Sequence, residues 1–128
     1  MTHGVLVSWA VAFVLTQLIE MPIYVLGLRV RPWTAFGASA ITHPIVWFVI
    51  PPVFHALWAT LGHVAPSLAL TGTERDLVHG GSAEAFAFVV EALYFTFLGR
   101  RRTFRWSLAA NAVSAGVGIV LTLLIGWP

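Results

Sequence analysis

The stretch SLAANAVSAGVGIVLTLLIGW, residues 107–127, decides the fold. It is an almost unbroken apolar run with Asn111 as its one strongly polar residue, and it is as long as the roughly 20 residues that cross a bilayer. The whole chain has the same character, because 59% of its 128 residues are hydrophobic and 9% are charged. A water-soluble domain carries about 25% charged residues. The sequence therefore predicts an integral membrane protein.

Three further apolar segments precede this one. The four candidate transmembrane segments are residues 4–28, 33–50, 82–98 and 107–127. None has the continuous polar face that a helix of a soluble bundle needs. We predict an all-α fold in which a single domain, residues 1–128, forms a compact bundle of four transmembrane helices. No internal repeat is visible in the sequence.

The connection between the second and third segments is the longest. Pro51 and Pro52 are expected to end the second helix, because proline lacks an N–H group and clashes with the preceding turn. A helical pattern resumes over residues 53–62 and predicts a short interfacial helix; a kinked continuation of the second helix is the alternative. Residues 63–81 are predicted to form an outer loop because they contain several glycines.

The positive charges predict the orientation. All of them are arginine, and six lie in the two short connections: Arg29, Arg31, Arg100, Arg101, Arg102 and Arg105. Cytoplasmic loops of membrane proteins carry the excess of positive charge, so we expect both termini to lie outside, in the cytoplasmic (inner) membrane of a bacterium. Residues 4–28 are not expected to be a cleavable signal peptide, since no basic region precedes the apolar run.

Polar residues interrupt all four segments at nearly the same depth. Counted at 1.5 Å per residue from the arginine-containing connections, Glu20 lies about 13 Å deep and His43 about 15 Å deep. Glu91 and Ser114 both lie about 12 Å deep, and Asn111 is slightly shallower. The sequence therefore predicts a polar layer near the middle of the bilayer. Glu84 shares a helix face with Glu91 and is expected nearer the outer surface.

These residues have a structural interpretation as well as a functional one. Asn111 and Ser114 could simply join helices by hydrogen bonds, and His43 precedes a proline and could mark a kink. The acids are harder to explain in this way, because each costs about 3 kcal/mol at the centre of a membrane helix. Intramembrane acids are candidates for function by default. We therefore treat the layer as a candidate site.

Three functions remain open. In the first, which we favour, Glu20 and Glu91 share a proton and exchange it for a cation or pass it to His43, so that the protein transports or conducts protons or cations. In the second, the same three residues bind a divalent metal in an intramembrane enzyme. In the third, the chain is a small subunit or assembly factor of a membrane complex.

The sequence also bounds cofactors and partners. The chain has no cysteine and no lysine, which excludes thiol chemistry, Schiff bases and Walker-type phosphate loops. We predict no cofactor, with a bound divalent metal as the open alternative. The expected partners are the lipid bilayer and either further copies of the chain or other membrane subunits. Nucleic acid is not expected, because the basic residues are few and separated by apolar runs.

Overall fold

The computed structural model describes residues 3–65, 70 and 72–126, and the chain is helical throughout most of them. The helices are α1 (His3–Leu28), α2 (Pro32–Phe48), α3 (Ile50–Val64), α4 (Gly72–Phe97) and α5 (Thr103–Ile125). No strand occurs in these described ranges, which confirms the all-α prediction. Three helical stretches among the described residues are long and apolar enough to cross a membrane: α1, α2 together with α3, and α5.

The break after the second segment does not occur at the proline pair. It lies at Val49, whose φ of −108° and ψ of −47° separate α2 from α3. Pro51 and Pro52 instead lie in the first turn of α3, where the N–H group that proline lacks would have no partner within the helix. The second helix thus ends just before these prolines, and the next helix, predicted to begin at residue 53, begins at Ile50 after a single intervening residue.

The predicted outer loop is largely helical. Val64 still belongs to α3, and α4 begins at Gly72, ten residues before the third segment was expected to start. Gly80 and Gly81 lie inside α4, because a glycine costs a helix only about 1 kcal/mol and the residues on both sides are helical. Residues 66–69 and 71 of the expected loop, and Trp127 at the end of the fourth segment, lie outside the described residues.

Helices α1, α2, α4 and α5, called the four long helices below, form a square. α1 and α4 occupy opposite corners, and α2 and α5 occupy the other two, so that each helix packs against two neighbours. α3 contacts α2 and α4 at the edge of this arrangement. One cluster of buried apolar residues lies at the end of the square nearest the short arginine-containing connections: Tyr24, Leu28, Val30, Ala35, Ala38, Phe95 and Ala110.

The two hairpins α1–α2 and α4–α5 repeat one another. α1 and α4 each contain 26 residues. The offset from Glu20 to Glu91 is 71 residues (20 to 91), and the starts of α2 and α5 differ by the same amount (32 to 103). α1 packs against α5 while α2 packs against α4, as an approximate two-fold axis between the hairpins requires. The two hairpins are therefore arranged as an approximate structural repeat, which is not visible in the sequence.

Hydrogen bonds between helices follow the same repeat. In the first hairpin, Gln17 Nε2 donates to the backbone oxygen of Phe36 at 3.3 Å. In the second, Ser107 Oγ donates to the backbone oxygen of Phe88 at 2.8 Å. Both positions of the second bond lie 71 residues after those of the first (17 to 88 and 36 to 107). In the first hairpin the donor lies on α1, and in the second hairpin the donor lies on α5. Equivalent positions are therefore joined in both hairpins, although the residues that donate differ.

Candidate functional site

Two carboxylates are buried in the middle of the helical square. Glu20 on α1 is 2% exposed, and Glu91 on α4 is 1% exposed. Both oxygens of Glu20 accept a hydrogen bond from a hydroxyl group, Oε2 from Ser39 at 2.5 Å and Oε1 from Ser114 at 2.6 Å. These bonds join α1 to α2 and to α5.

Glu91 accepts three hydrogen bonds. Its Oε2 accepts from the hydroxyl of Tyr24 and from Asn111 Nδ2, the latter at 2.9 Å. Its Oε1 accepts from Thr42 Oγ1 at 2.7 Å. Asn111 Nδ2 also lies 3.4 Å from the Tyr24 hydroxyl. Helices α1, α2 and α5 therefore each contribute one side chain that binds Glu91 on α4.

α2 and α5 hold the acids in the same way. α2 presents Ser39 and Thr42, three residues apart, and α5 presents Asn111 and Ser114, also three residues apart. Residues at this spacing lie on one face of a helix. In each pair the serine binds Glu20, and the other residue binds Glu91. The polar network therefore has the approximate two-fold arrangement of the hairpins.

Neither acid has a basic partner. Among the described residues, no ion pair includes Glu20 or Glu91, and Arg75 pairs instead with its neighbour Asp76 at 4.0 Å. The other arginines lie in or next to the two short connections. An ionised carboxylate away from water is very costly without a countercharge. The arrangement is therefore suited to a proton or to a cation that arrives from outside the chain.

The acids lie at one end of a cavity of about 780 Å³. Its polar end contains Glu20, Thr42, Glu91, Asn111 and Ser114. From there the cavity extends between the four long helices towards the N-terminal part of α4 and the C-terminal part of α5. On the other side of the acids, the fully buried rings of Tyr24 and Phe95 pack with centroids 4.6 Å apart. The cavity is thus closed towards the arginine-containing connections.

His43 lines the cavity but does not join the acid network. It is 8% exposed, and its ring packs among aromatic rings, with centroids 5.2 Å from Phe13 and 5.9 Å from Trp47. Its buried Nδ1 has no hydrogen-bond partner in the part of the chain that the structure describes. Its neighbour Thr42, on the adjacent helix face, contacts Glu91 instead.

The metal site expected from Glu20, His43 and Glu91 is not assembled. The described residues contain no group of three histidine, aspartate or glutamate side chains that could hold a metal ion. The physical reason is that the carboxylate oxygens face hydroxyl and amide donors, while the imidazole lies among aromatic rings. In the described structure these three side chains therefore do not form one group, and metal binding stays an untested prediction.

Glu84 occupies a separate position. It is exposed, lines the cavity about two turns of α4 away from Glu91, and makes no hydrogen bond to the other site residues among those described. The structure therefore brings Glu20, Glu91, Asn111 and Ser114 into one network. It places His43 and Glu84 on the wall of the adjoining cavity.

The sequence analysis missed three residues that complete the network: Tyr24, Ser39 and Thr42. Tyr24 follows Glu20 by four residues and therefore lies on the same face of α1, a signal that was available. Ser39 and Thr42 are common small polar residues, and nothing in their spacing alone distinguishes them from residues that pack helices. Their role depends on which face of α2 turns towards the acids.

The arrangement can bind and release protons at buried carboxylates that adjoin an open cavity. Four hydroxyl groups, those of Tyr24, Ser39, Thr42 and Ser114, donate hydrogen bonds to the two acids. Comparison of the chain with protein-family models, curated proteins and solved structures finds no significant match.

Proposed function

We propose that the protein transports or conducts protons or cations across a bacterial cytoplasmic membrane, with Glu20 and Glu91 as the groups that exchange a proton. The observation that carries this proposal is the pair of buried acids at the closed end of the cavity, without a basic partner among the described residues. Such acids in a membrane bundle mark ion pathways and proton relays.

The proposal includes four membrane crossings. α1, the α2–α3 stretch and α5 have the length and apolarity for three of them. α4 supplies the fourth in this proposal, since its last 21 residues, 77–97, contain only two charged side chains and match the length of about 20 that a crossing needs. The internal repeat supports this assignment, because α4 corresponds to α1. The arginine distribution supports termini outside.

The hydrogen-bond network is compatible with both protonation states of each acid. If Glu91 is protonated at Oε1, it can donate to Thr42 Oγ1, which can turn its own hydrogen to the backbone oxygen of Ala38 at 3.4 Å. If Glu20 is protonated at Oε1, it can donate to Ser114 Oγ, which can turn its hydrogen to the backbone oxygen of Asn111 at 3.1 Å. Hydroxyl hydrogens rotate readily. Rotation of these hydroxyl groups therefore accommodates both protonation states of each acid without a movement of a helix.

The test is a flux measurement on the purified chain in liposomes that contain a pH-sensitive dye. Inward gradients of sodium, potassium and an organic ammonium ion are applied in turn, and at least one of them should change the internal pH in liposomes with the wild-type protein. Glu20→Gln and Glu91→Gln should each reduce the rate at least about tenfold, because glutamine keeps the shape but cannot carry the proton.

Glu74→Gln is the matched control, since Glu74 lies on α4 but does not line the cavity. It should leave the rate unchanged. Wild-type flux in both acid variants would contradict the proposal, as would an absence of flux for a folded wild-type protein with each of several cations. We predict that the chain acts with further copies of itself or with other membrane subunits. A native mass measurement tests this prediction.

A further inference from the structure

We infer that the cavity beside the acids binds an organic cation with an apolar body, which is the cation that exchanges with the proton. This inference rests on the proposed function, because it names the substrate class of the same site. It is argued from the size of the cavity, the distribution of charge on its wall and the chemistry of the wall itself.

The size of the cavity favours an organic molecule over a bare inorganic ion as its occupant. An inorganic ion would need only a small cage of oxygen atoms, whereas this space measures about 780 Å³. Pockets for small organic molecules measure about 300–1,000 Å³. The cavity therefore has the volume of a site for an organic molecule.

The charges on the wall all have one sign. Glu20 and Glu91 lie at the closed end, and Glu84 and Asp76 lie further along towards the ends of α4 and α5. Among the described residues no arginine lines this cavity, and Arg75, which pairs with Asp76, is not part of its lining. Negative charge along a low-dielectric cleft concentrates cations and repels anions. The charged part of the occupant is therefore positive, and we place it at the closed end, where two acids meet.

Between the two acids at the closed end and the two acids further along, the wall of the cavity is apolar and aromatic. Val46, Trp47, Ala87, Ala115 and Ile119 line it. An apolar wall favours an occupant with an apolar body, and the face of an indole ring attracts a cation. His43 adds an independent sign of an absent ligand, since this buried side chain lines the cavity and its Nδ1 lacks a hydrogen-bond partner among the described residues.

A pair of ions with the same shape and opposite charge tests this inference. Tetraphenylphosphonium and tetraphenylborate have nearly equal size, so that a purely apolar pocket would bind both. Isothermal titration calorimetry of the full chain in detergent should show at least about tenfold tighter binding of the phosphonium. Glu20→Gln and Glu91→Gln should each weaken that binding about tenfold or more, while Glu74→Gln should not. Equal binding of both ions would overturn the inference.

A second pair of variants tests the cavity without touching the acids. Gly118 lines it and Gly116 does not, and a Cβ atom at either position would meet no other atom within 4 Å. Gly118→Phe should fill part of the space and weaken phosphonium binding about tenfold, whereas Gly116→Phe should leave it unchanged. Equal binding by wild type and Gly118→Phe would contradict the assignment to this cavity even if an acid variant fails to fold.

The two proposals fail in different ways. Proton flux driven by sodium or potassium, without charge-selective phosphonium binding, would overturn this inference and leave the proposed function standing. Selective phosphonium binding that depends on the two acids, without flux of any cation, would support the site and contradict the proposed transport.

Discussion

Tyr24 links the acid network to the apolar core at the level of a single residue. Its hydroxyl donates to Glu91 and lies 3.4 Å from the amide nitrogen of Asn111, while its fully buried ring packs on Phe95. The ring and the hydroxyl therefore make separable contributions. The ring excludes water from the end of the cavity, and the hydroxyl satisfies one oxygen of a buried acid.

Replacing Tyr24 by phenylalanine should reveal the contribution of the hydroxyl alone. Phenylalanine keeps the ring contact with Phe95 but leaves Glu91 Oε2 with one donor fewer, which should lower the free energy of unfolding by about 1–3 kcal/mol. Thermal unfolding in detergent, followed by circular dichroism, measures the change.

Tyr94→Phe provides the control. The Tyr94 hydroxyl makes no hydrogen bond among the described residues, and we expect a change within about 0.5 kcal/mol. A loss of equal size in both variants would show that the network does not depend on the Tyr24 hydroxyl.

At the scale of the helices, the closest approach between α1 and α5 depends on a glycine. A Cβ atom at Gly27 would overlap the indole ring of Trp106. The ring packs against the buried core at the same end of the square. The pair therefore sets how near α1 and α5 can lie and, through this separation, where Ser114 reaches Glu20.

Gly27→Ala should destabilise the protein by about 1–3 kcal/mol, because the indole ring must move to admit the methyl group. Gly116→Ala, in the middle of α5 with nothing within 4 Å of its Cβ, should instead stabilise it by about 0.5–1 kcal/mol. Chemical or thermal unfolding of the two variants in the same detergent tests this opposite sign. A stabilising effect at both positions would show that α1 and α5 are further apart than described.

At the scale of the whole molecule, the surface and the arginines suggest one orientation in a bilayer. Large apolar side chains are exposed on several helices, among them Leu26, Phe97 and Leu123, with exposed fractions of 78%, 87% and 79%. A soluble monomer rarely exposes so much contiguous apolar surface. In the proposed orientation, with the arginine-containing connections inside, the cavity would open to the outer side.

Single cysteines can test this orientation, because the chain has none of its own. A membrane-impermeant maleimide added to intact cells or spheroplasts should label Thr73→Cys, at the start of α4, and should not label Leu98→Cys, in a short connection. After permeabilisation both should react, which controls for reactivity. Labelling of Leu98→Cys in intact spheroplasts would reverse the assigned topology.

Much of the fold and part of the site follow from the sequence by simple physical rules. The scarcity of charge predicts a helical chain suited to a membrane, and the structure confirms the helices and three candidate spans. The rise of a helix converts residue number into depth. For this reason Glu20, Glu91, Asn111 and Ser114 could be expected at one level, and they do meet in one network.

The tertiary structure decided which of the residues at that level contact each other. Depth says nothing about the rotation of a helix about its axis, and this rotation turns Thr42 rather than His43 towards Glu91. The rotation of α1 also brings the Tyr24 hydroxyl into hydrogen-bonding contact with Glu91. The repeat of the two hairpins was hidden for a related reason, since packing preserves the positions of contacts while the side chains that make them change. The cavity depends on how the long helices pack, because residues from α1, α2, α4 and α5 together form its wall.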